Sequence, residues 1–388
     1  EAQEVMNKAA KAIKGVGPKL AAQLNALGVT SFAQIASWSE AEGQPGFAWD
    51  AWMHHSMTYY VPELTPFLSR WSTNGIPFLG RVHFTEHDRS GLRLYSAFVQ
   101  MPYSGAIAEI YAHGATVTRY RSPGGREVLW TSSIAVFDGK KAIRGGIPVV
   151  FPFFGPTPDE RVGTIAECPQ HGFARTSRWA IADLSVTSEG GCKAVFQLQD
   201  SEATRGIWPF PFTLTYEVVL DEDSLATSLT ITNSGAQEMA PQCLLHTYLN
   251  VADARQVMIF GLEDSEYVDK LTGKTEREDM PAIQFRGETD RIYSGASRKA
   301  CPITMRPEGV RVDAHGALLL KDGTVTAEIA ADVVVWNPHV NKAKAMGDFD
   351  DEGWTAMACV EPGVVAADRP GIIPGGSLVL SQTIAPED

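Results

Sequence analysis

Residues 213–232 read TLTYEVVLDEDSLATSLTIT, and their alternation constrains the fold more than any other stretch. Leu214, Tyr216, Val218 and Leu220 recur at every second position. The polar turn DEDS follows, and Leu225, Leu229 and Ile231 then resume the pattern. Successive side chains of a strand point to opposite faces, so this run predicts a hairpin with one buried face. GALLLKDGTVTAEIA carries Asp322-Gly323, a strong hairpin signal, and IYAHGATVTRYRSPGGREVLW turns at Pro123-Gly124-Gly125. Such hairpins run from about residue 104 to the end. They predict a mainly β chain built as a large antiparallel β-sandwich rather than from βαβ units. No internal repeat points to a propeller.

Length and charge set outer bounds. The 388 residues suit two or three domains, and the net charge of −13 argues against general nucleic-acid binding. Five widely spaced cysteines (Cys168, Cys192, Cys243, Cys301, Cys359) include no CxxC pair, which favours a reducing compartment. No apolar run approaches the roughly 20 residues that span a bilayer. The sequence starts at Glu1 without methionine, as a processed or a trimmed chain would, and the protein is expected to be soluble and intracellular, in the cytoplasm or, if processing removed the start, in an organelle matrix.

Two shorter regions precede the strands. Residues 1–42 read as a helical module, with Pro18 in a first turn, Leu20, Leu24 and Leu27 at helical spacing, and Ser31 as a cap. IKGVGPKLAAQLNALGV resembles a helix-hairpin-helix, whose backbone N–H groups can hold a phosphate. Its four lysines are balanced by four glutamates, so a protein-docking role is the simpler expectation. Residues 43–103 read as a short α+β segment. VPELTPFLSRWSTNGIPF and LYSAFVQMPYSGAIAEI resemble one βαβββ half of the vicinal-oxygen-chelate family, which implies His55 and Glu109 as metal ligands. One half supplies few ligands, so a structural or docking role is expected there.

Four stretches interrupt the strand pattern with chemical groups: KKAIRGGIPVVFPFFG, PQHGFARTSRW, LLHTYLNVAD and VVVWNPHVNKAKAMGDFDDEGWTAMACVEPG. Each has a plain reading alone. A single histidine on a strand is commonly a hydrogen-bonded core residue, Glu361 could sit in a turn, and Arg144 or Arg175 could pair with one of 46 carboxylates.

In order, however, IRGGIPVVFPFFG, PQHGFAR, HTYLNVAD, GETDRIY and VVWNP…KAKAM…DF…CVEPG resemble the hexose-6-phosphate mutarotases, the glucose-6-phosphate 1-epimerase branch of the aldose 1-epimerase superfamily. The resemblance spans roughly 104–385. It implies a galactose-mutarotase-type sandwich, an open cleft, no metal and no cofactor. It makes His246 the general acid and Glu361 the general base, and it places Arg144, Gln170, His171, Arg175 and Asp290 at the sugar. Two positions depart from the family: His339 stands where tryptophan is usual, and Asn341 where an acidic residue is common.

Anomer exchange needs those groups. Opening the pyranose ring requires a proton at the ring oxygen while the C1 hydroxyl loses one, and closing on the other face reverses both transfers. Guanidinium forks match phosphate oxygens, so Arg144 and Arg175 are expected to clamp a 6-phosphate despite the acidic chain. The alternative is an accessory subunit that uses this fold within a larger assembly, docked to protein partners through residues 1–103.

Overall fold

The computed structural model describes residues 96–100, 105–155, 169–299 and 302–387. The helical module at 1–42, the strands and helix expected between 43 and 95, and His55 lie outside the described residues.

Twenty strands form three antiparallel sheets among the described residues. The smallest joins β1 (Ser96–Gln100), β2 (Ile107–Tyr111) and β3 (Thr116–Arg121) in that order. Ser96 pairs with Tyr111 and Gln100 with Ile107, so this pairing runs across the boundary placed at residue 104.

The nine-stranded sheet contains the hairpins that alternation predicts. β7 (Phe212–Leu220) and β8 (Leu225–Asn233) each bury every second residue. Their neighbours are β6 (Cys192–Gln199) and β5 (Ala180–Val186) on one side, and β20 (Ser377–Pro386), β16 (Val310–Leu319), β15 (Ile303–Arg306) and β11 (Met258–Phe260) on the other. β17 (Val325–Ile329) closes a hairpin onto β16 through a five-residue loop in which Gly323 adopts φ +85°, a conformation glycine takes without steric cost.

The eight-stranded sheet runs β13 (Lys274–Arg277), β12 (Glu266–Asp269), β14 (Thr289–Tyr293), β18 (Asp332–Asn337), β19 (Met357–Val364), β9 (Cys243–Leu245) and β4 (Val149–Val150), with β10 (Tyr248–Asn250) also on β19. Every residue of β18 and β19 is buried. One face of these strands packs toward the nine-stranded sheet, where β19 meets β20 and β16. The other belongs to an apolar cluster that includes Trp130, Tyr248, Val334, Trp336, Phe349, Trp354 and Cys359. Strands covered on both faces lose alternation and read as continuous apolar runs, as DVVVW does. The architecture is the mainly β, antiparallel sandwich that the alternation predicts.

Asp332 fixes one end of this central pair, where β18 begins and β19 finishes. Its Oδ1 accepts from Gly295 N at 2.8 Å, and its Oδ2 accepts from Val365 N at 2.8 Å and Ala366 N at 2.9 Å. It is 4% exposed. Burial raises its pKa, and the three N–H groups oppose that shift. Removing the carboxylate would leave those donors unpaired. Asp332→Ala is expected to destabilise the protein by about 2–4 kcal/mol in urea unfolding, and Asp332→Asn, which keeps one acceptor oxygen, by less.

Candidate active site

Strand register brings the two expected catalytic side chains together. β9 and β10 both pair with β19, Leu244 facing Gly363 and Tyr248 facing Cys359. Counting inward from either pair places His246 opposite Glu361. The ladder breaks there without slipping. His246 N donates to Pro148 O at 3.0 Å, Thr247 N turns back to Leu245 O at 2.8 Å, and Val360 N donates to Thr247 O at 3.2 Å. The Thr247 hydroxyl accepts from Gln382 Nε2 of β20 at 2.8 Å and donates to Leu245 O at 3.1 Å, so the opposite sheet fixes this turn.

The same register sets the floor. Glu361 faces Val334 on β18, and Trp336, two positions along, lies between Cys359 and Asp290. Residues two apart share a face, so Glu361, Cys359, Trp336, Asp290, His246 and Tyr248 belong to one surface. His246 Nδ1 lies 3.3 Å from Glu361 Oε1 and 3.8 Å from Cys359 Sγ. The Tyr248 ring stacks on His246 at 4.7 Å, and Trp336 and His171 meet it edge-on at 5.8 and 5.7 Å.

Glu361 is 1% exposed, and neither of its oxygens has a hydrogen-bond partner among the described residues. Burial pushes its pKa well above the carboxylate range; Asp290 adds to the shift and Lys270 opposes it. Burial also pushes His246 well below the imidazole range, aided by Arg175 and Arg144. Both shifts favour a neutral carboxyl beside a neutral imidazole, whereas the chemistry expected from sequence has carboxylate and imidazolium. Both descriptions hold the same number of protons and differ in where one of them sits.

The glycine-centred loop supplies the rim. His171 adopts φ +62°, and a Cβ on the following Gly172 (φ +70°) would meet Phe151 O at 2.1 Å, so only glycine fits there. His171 Nδ1 accepts from Gly155 N at 3.3 Å, and the Gln170 amide lies 3.4 Å from its Nε2. Arg175 donates to Gln170 O at 2.7 Å, while its buried Nε has no partner among the described residues. Burial lowers Arg175 to about 10. Arg144 reaches Asp348 Oδ1 at 3.2 Å and Tyr248 Oη at 3.3 Å. His339, one of the two family departures, places its ring 4.4 Å from that of Trp354, and Asn341, the other, is exposed.

All seven expected residues lie among the described ones. His246, Glu361 and His171 are close neighbours, Arg144 and Arg175 act on His246, and Asp290 acts on Glu361. Sequence reasoning missed Cys359, Tyr248, Asp348 and Lys270. The first two stand two residues from Glu361 and His246, so strand periodicity could have found them. Lys270, which reaches Asp290 Oδ2 at 3.4 Å and the Phe154 ring at 4.4 Å, has no local sequence signal. His246, Cys359 and Glu361 are also close enough to act as metal ligands, their ligand atoms lying within 4.8 Å of one another. Glu109, the candidate from the vicinal-oxygen-chelate resemblance, instead faces Arg119 on β3.

The shifted pair ties stability to pH. Glu361 holds its proton above the ordinary value of 4.5, so the folded state binds more protons than the unfolded one as pH rises past it, and stability falls. His246 acts oppositely, but only below 6.5, because both states leave it neutral above that. Glu361→Gln is therefore expected to gain melting temperature relative to the parent as pH rises from the ordinary value of 4.5 through the raised folded value, in scanning calorimetry. A pH-independent difference would refute the raised pKa.

The described site sits on a chain with known relatives. Residues 103–379 match the aldose 1-epimerase family, and residues 11–45 match the RS2/RL21/YNQ2 HHH domain, in keeping with the helix-hairpin-helix reading. A protein from Cenchrus ciliaris called "putative glucose-6-phosphate 1-epimerase" is 36% identical over 268 residues, which cover 66% of this chain and 75% of the relative. A solved structure of a "putative mutarotase" from Salmonella typhimurium superposes with TM-score 0.62 at 26% identity, over 78% of this chain and 96% of that one. Galactose 1-epimerase from Lactobacillus acidophilus shares the fold, with TM-score 0.57 at 15% identity over 79% of this chain and 98% of that one. From these matches, this chain belongs to the aldose 1-epimerase family, isomerases that interconvert the anomers of a sugar.

Proposed function

We propose that this enzyme interconverts the α and β anomers of a hexose 6-phosphate, with glucose 6-phosphate the first candidate, and that His246 and Glu361 carry the proton transfers. The reading rests on one observation: a buried imidazole and a buried carboxyl 3.3 Å apart, with two arginines acting on the imidazole. The name of the Cenchrus ciliaris relative points to the same substrate.

The reaction follows from where protons can move. From the neutral pair, Glu361 passes its proton to His246 Nδ1, leaving a carboxylate beside an imidazolium. His246 Nε2 then protonates the ring oxygen as Glu361 takes the proton of the C1 hydroxyl, and the C1–ring-oxygen bond opens to the aldehyde. Rotation about C1–C2 and the reverse transfers close the ring on the other face. The protons balance, and each positioned group contributes on the order of 10²–10⁴ in rate.

Arg175 and Arg144 would hold the phosphate through charge-assisted hydrogen bonds, with the unpartnered Nε of Arg175 as one donor. Phosphate would also offset the two cations that depress His246, favouring the imidazolium the first step needs. Gln170, His171 and Asp290 would hydrogen-bond sugar hydroxyls. The net charge of −13 does not oppose this, because distant charges are screened within about 8 Å. The alternative role as an accessory subunit draws on residues 1–103, and a site that keeps its seven expected residues does not favour it.

Glu361→Gln is expected to lower kcat for anomer exchange of glucose 6-phosphate by about 10²–10⁴, read by exchange NMR. Unchanged exchange in a folded variant would remove Glu361 from the mechanism. Arg175→Ala is expected to raise KM for glucose 6-phosphate roughly 10- to 100-fold and to leave free glucose nearly unaffected. Equal effects on both sugars would refute the phosphate clamp.

A further inference from the structure

We propose that His246, Cys359 and Glu361 together form a binding site for a thiophilic divalent cation such as zinc, and that the cation and the sugar exclude one another. This goes beyond the proposed activity, because it assigns the acid–base pair a second ligand and Cys359 a role.

Geometry carries the inference. A tetrahedral zinc ion with its usual bond lengths places a nitrogen and an oxygen ligand about 3.3–3.4 Å apart, and a nitrogen and a sulfur ligand about 3.5–3.6 Å apart. The corresponding separations here are 3.3 Å from His246 Nδ1 to Glu361 Oε1 and 3.8 Å from His246 Nδ1 to Cys359 Sγ. Cys359 and Glu361 project from β19 and His246 from the turn between β9 and β10, both paired in register with β19, so the sheet sets the spacing. Glu361 is almost wholly buried, and among the described residues its oxygens have no hydrogen-bond partner outside this cluster. Three protein ligands would leave a fourth position open to water.

Charge also balances. A divalent ion held by one thiolate and one carboxylate is matched by their two negative charges, and ligands that arrive protonated release their protons to solvent. Nitrogen, thiolate and carboxylate donors suit zinc or cobalt better than magnesium or calcium.

Cobalt(II) is the probe, because a cobalt–thiolate bond gives a near-ultraviolet charge-transfer band that does not depend on turnover. The full chain, stripped with chelator, is titrated with cobalt and then zinc, alongside Cys359→Ser, Cys359→Ala and a Cys192→Ser control. The parent and the control are expected to show the band, zinc should displace it, and glucose 6-phosphate should weaken cobalt binding. Both Cys359 variants should lose the band, and their zinc affinity should fall by at least the roughly 10- to 100-fold that losing an outer-shell partner costs. Zinc should slow anomer exchange in the parent, chelator should restore it, and each Cys359 variant should resist zinc relative to its own metal-free rate. No band in the parent, a band that survives in a folded Cys359 variant, or equal zinc inhibition of parent and variants would overturn the proposal. The spectrum is independent of activity, so failure of the proposed reaction would be seen separately.

Discussion

A buried carboxyl group, sealed into the central strands of a sheet with only His246 and Cys359 beside its oxygens among the described residues, sets the terms for the whole site. Glu361 lies on β19, whose residues are all buried, between β18 on one side and the β9–β10 pair on the other. Ionising it there is costly, because a charge removed from water needs compensation close by. The compensation comes from the cross-strand imidazole and, at longer range, from Lys270, which itself holds Asp290. The register that puts His246 opposite Glu361 is thus both a structural and a chemical constraint. A slip of one residue would turn these side chains to the other face of the sheet.

Burial acts on the two partners in opposite senses. It raises the carboxyl and lowers the imidazole, so the empty pair is poised at the neutral end of one proton shift. That poise suits a reversible isomerase, in which each group must serve as acid in one direction and base in the other. It also makes the local cations part of the device: Arg144 and Arg175 depress His246, so any anion that engages them alters the proton balance below. The polar chain Arg144–Tyr248, with Tyr248 stacked on His246, joins the rim of the site to its floor.

The architecture was legible where one sheet face meets solvent. β7 and β8 carry their buried residues at every second position, as read from TLTYEVVL and LATSLTIT, and the turn at DEDS separates them. Strands β18 and β19 were less legible, because burial on both faces erases alternation; VVVW and MACV could as readily be read as short buried helices. The pairing of β1 with β2 was hidden for another reason: an edge hairpin looks the same in sequence whether it belongs to a separate module or to the sheet that follows. Tyr248 and Cys359 were within reach of the period-two argument, whereas Lys270 comes near Asp290 only because β12 and β14 are neighbours.

By itself the sequence determined a long run of antiparallel hairpins and an ordered set of motifs carrying His246, Glu361 and their polar companions. Local alternation and turn chemistry act over a few residues, and they are written directly in the chain. Tertiary structure decided what those residues face. The opposition of His246 and Glu361 across more than a hundred residues, the burial of the carboxyl, and the convergence of Cys359 on the same two groups depend on strand pairing and on exclusion of water by the cluster around Trp336. Contact distances and local dielectric arise only when distant strands meet, so no stretch of sequence carries them alone.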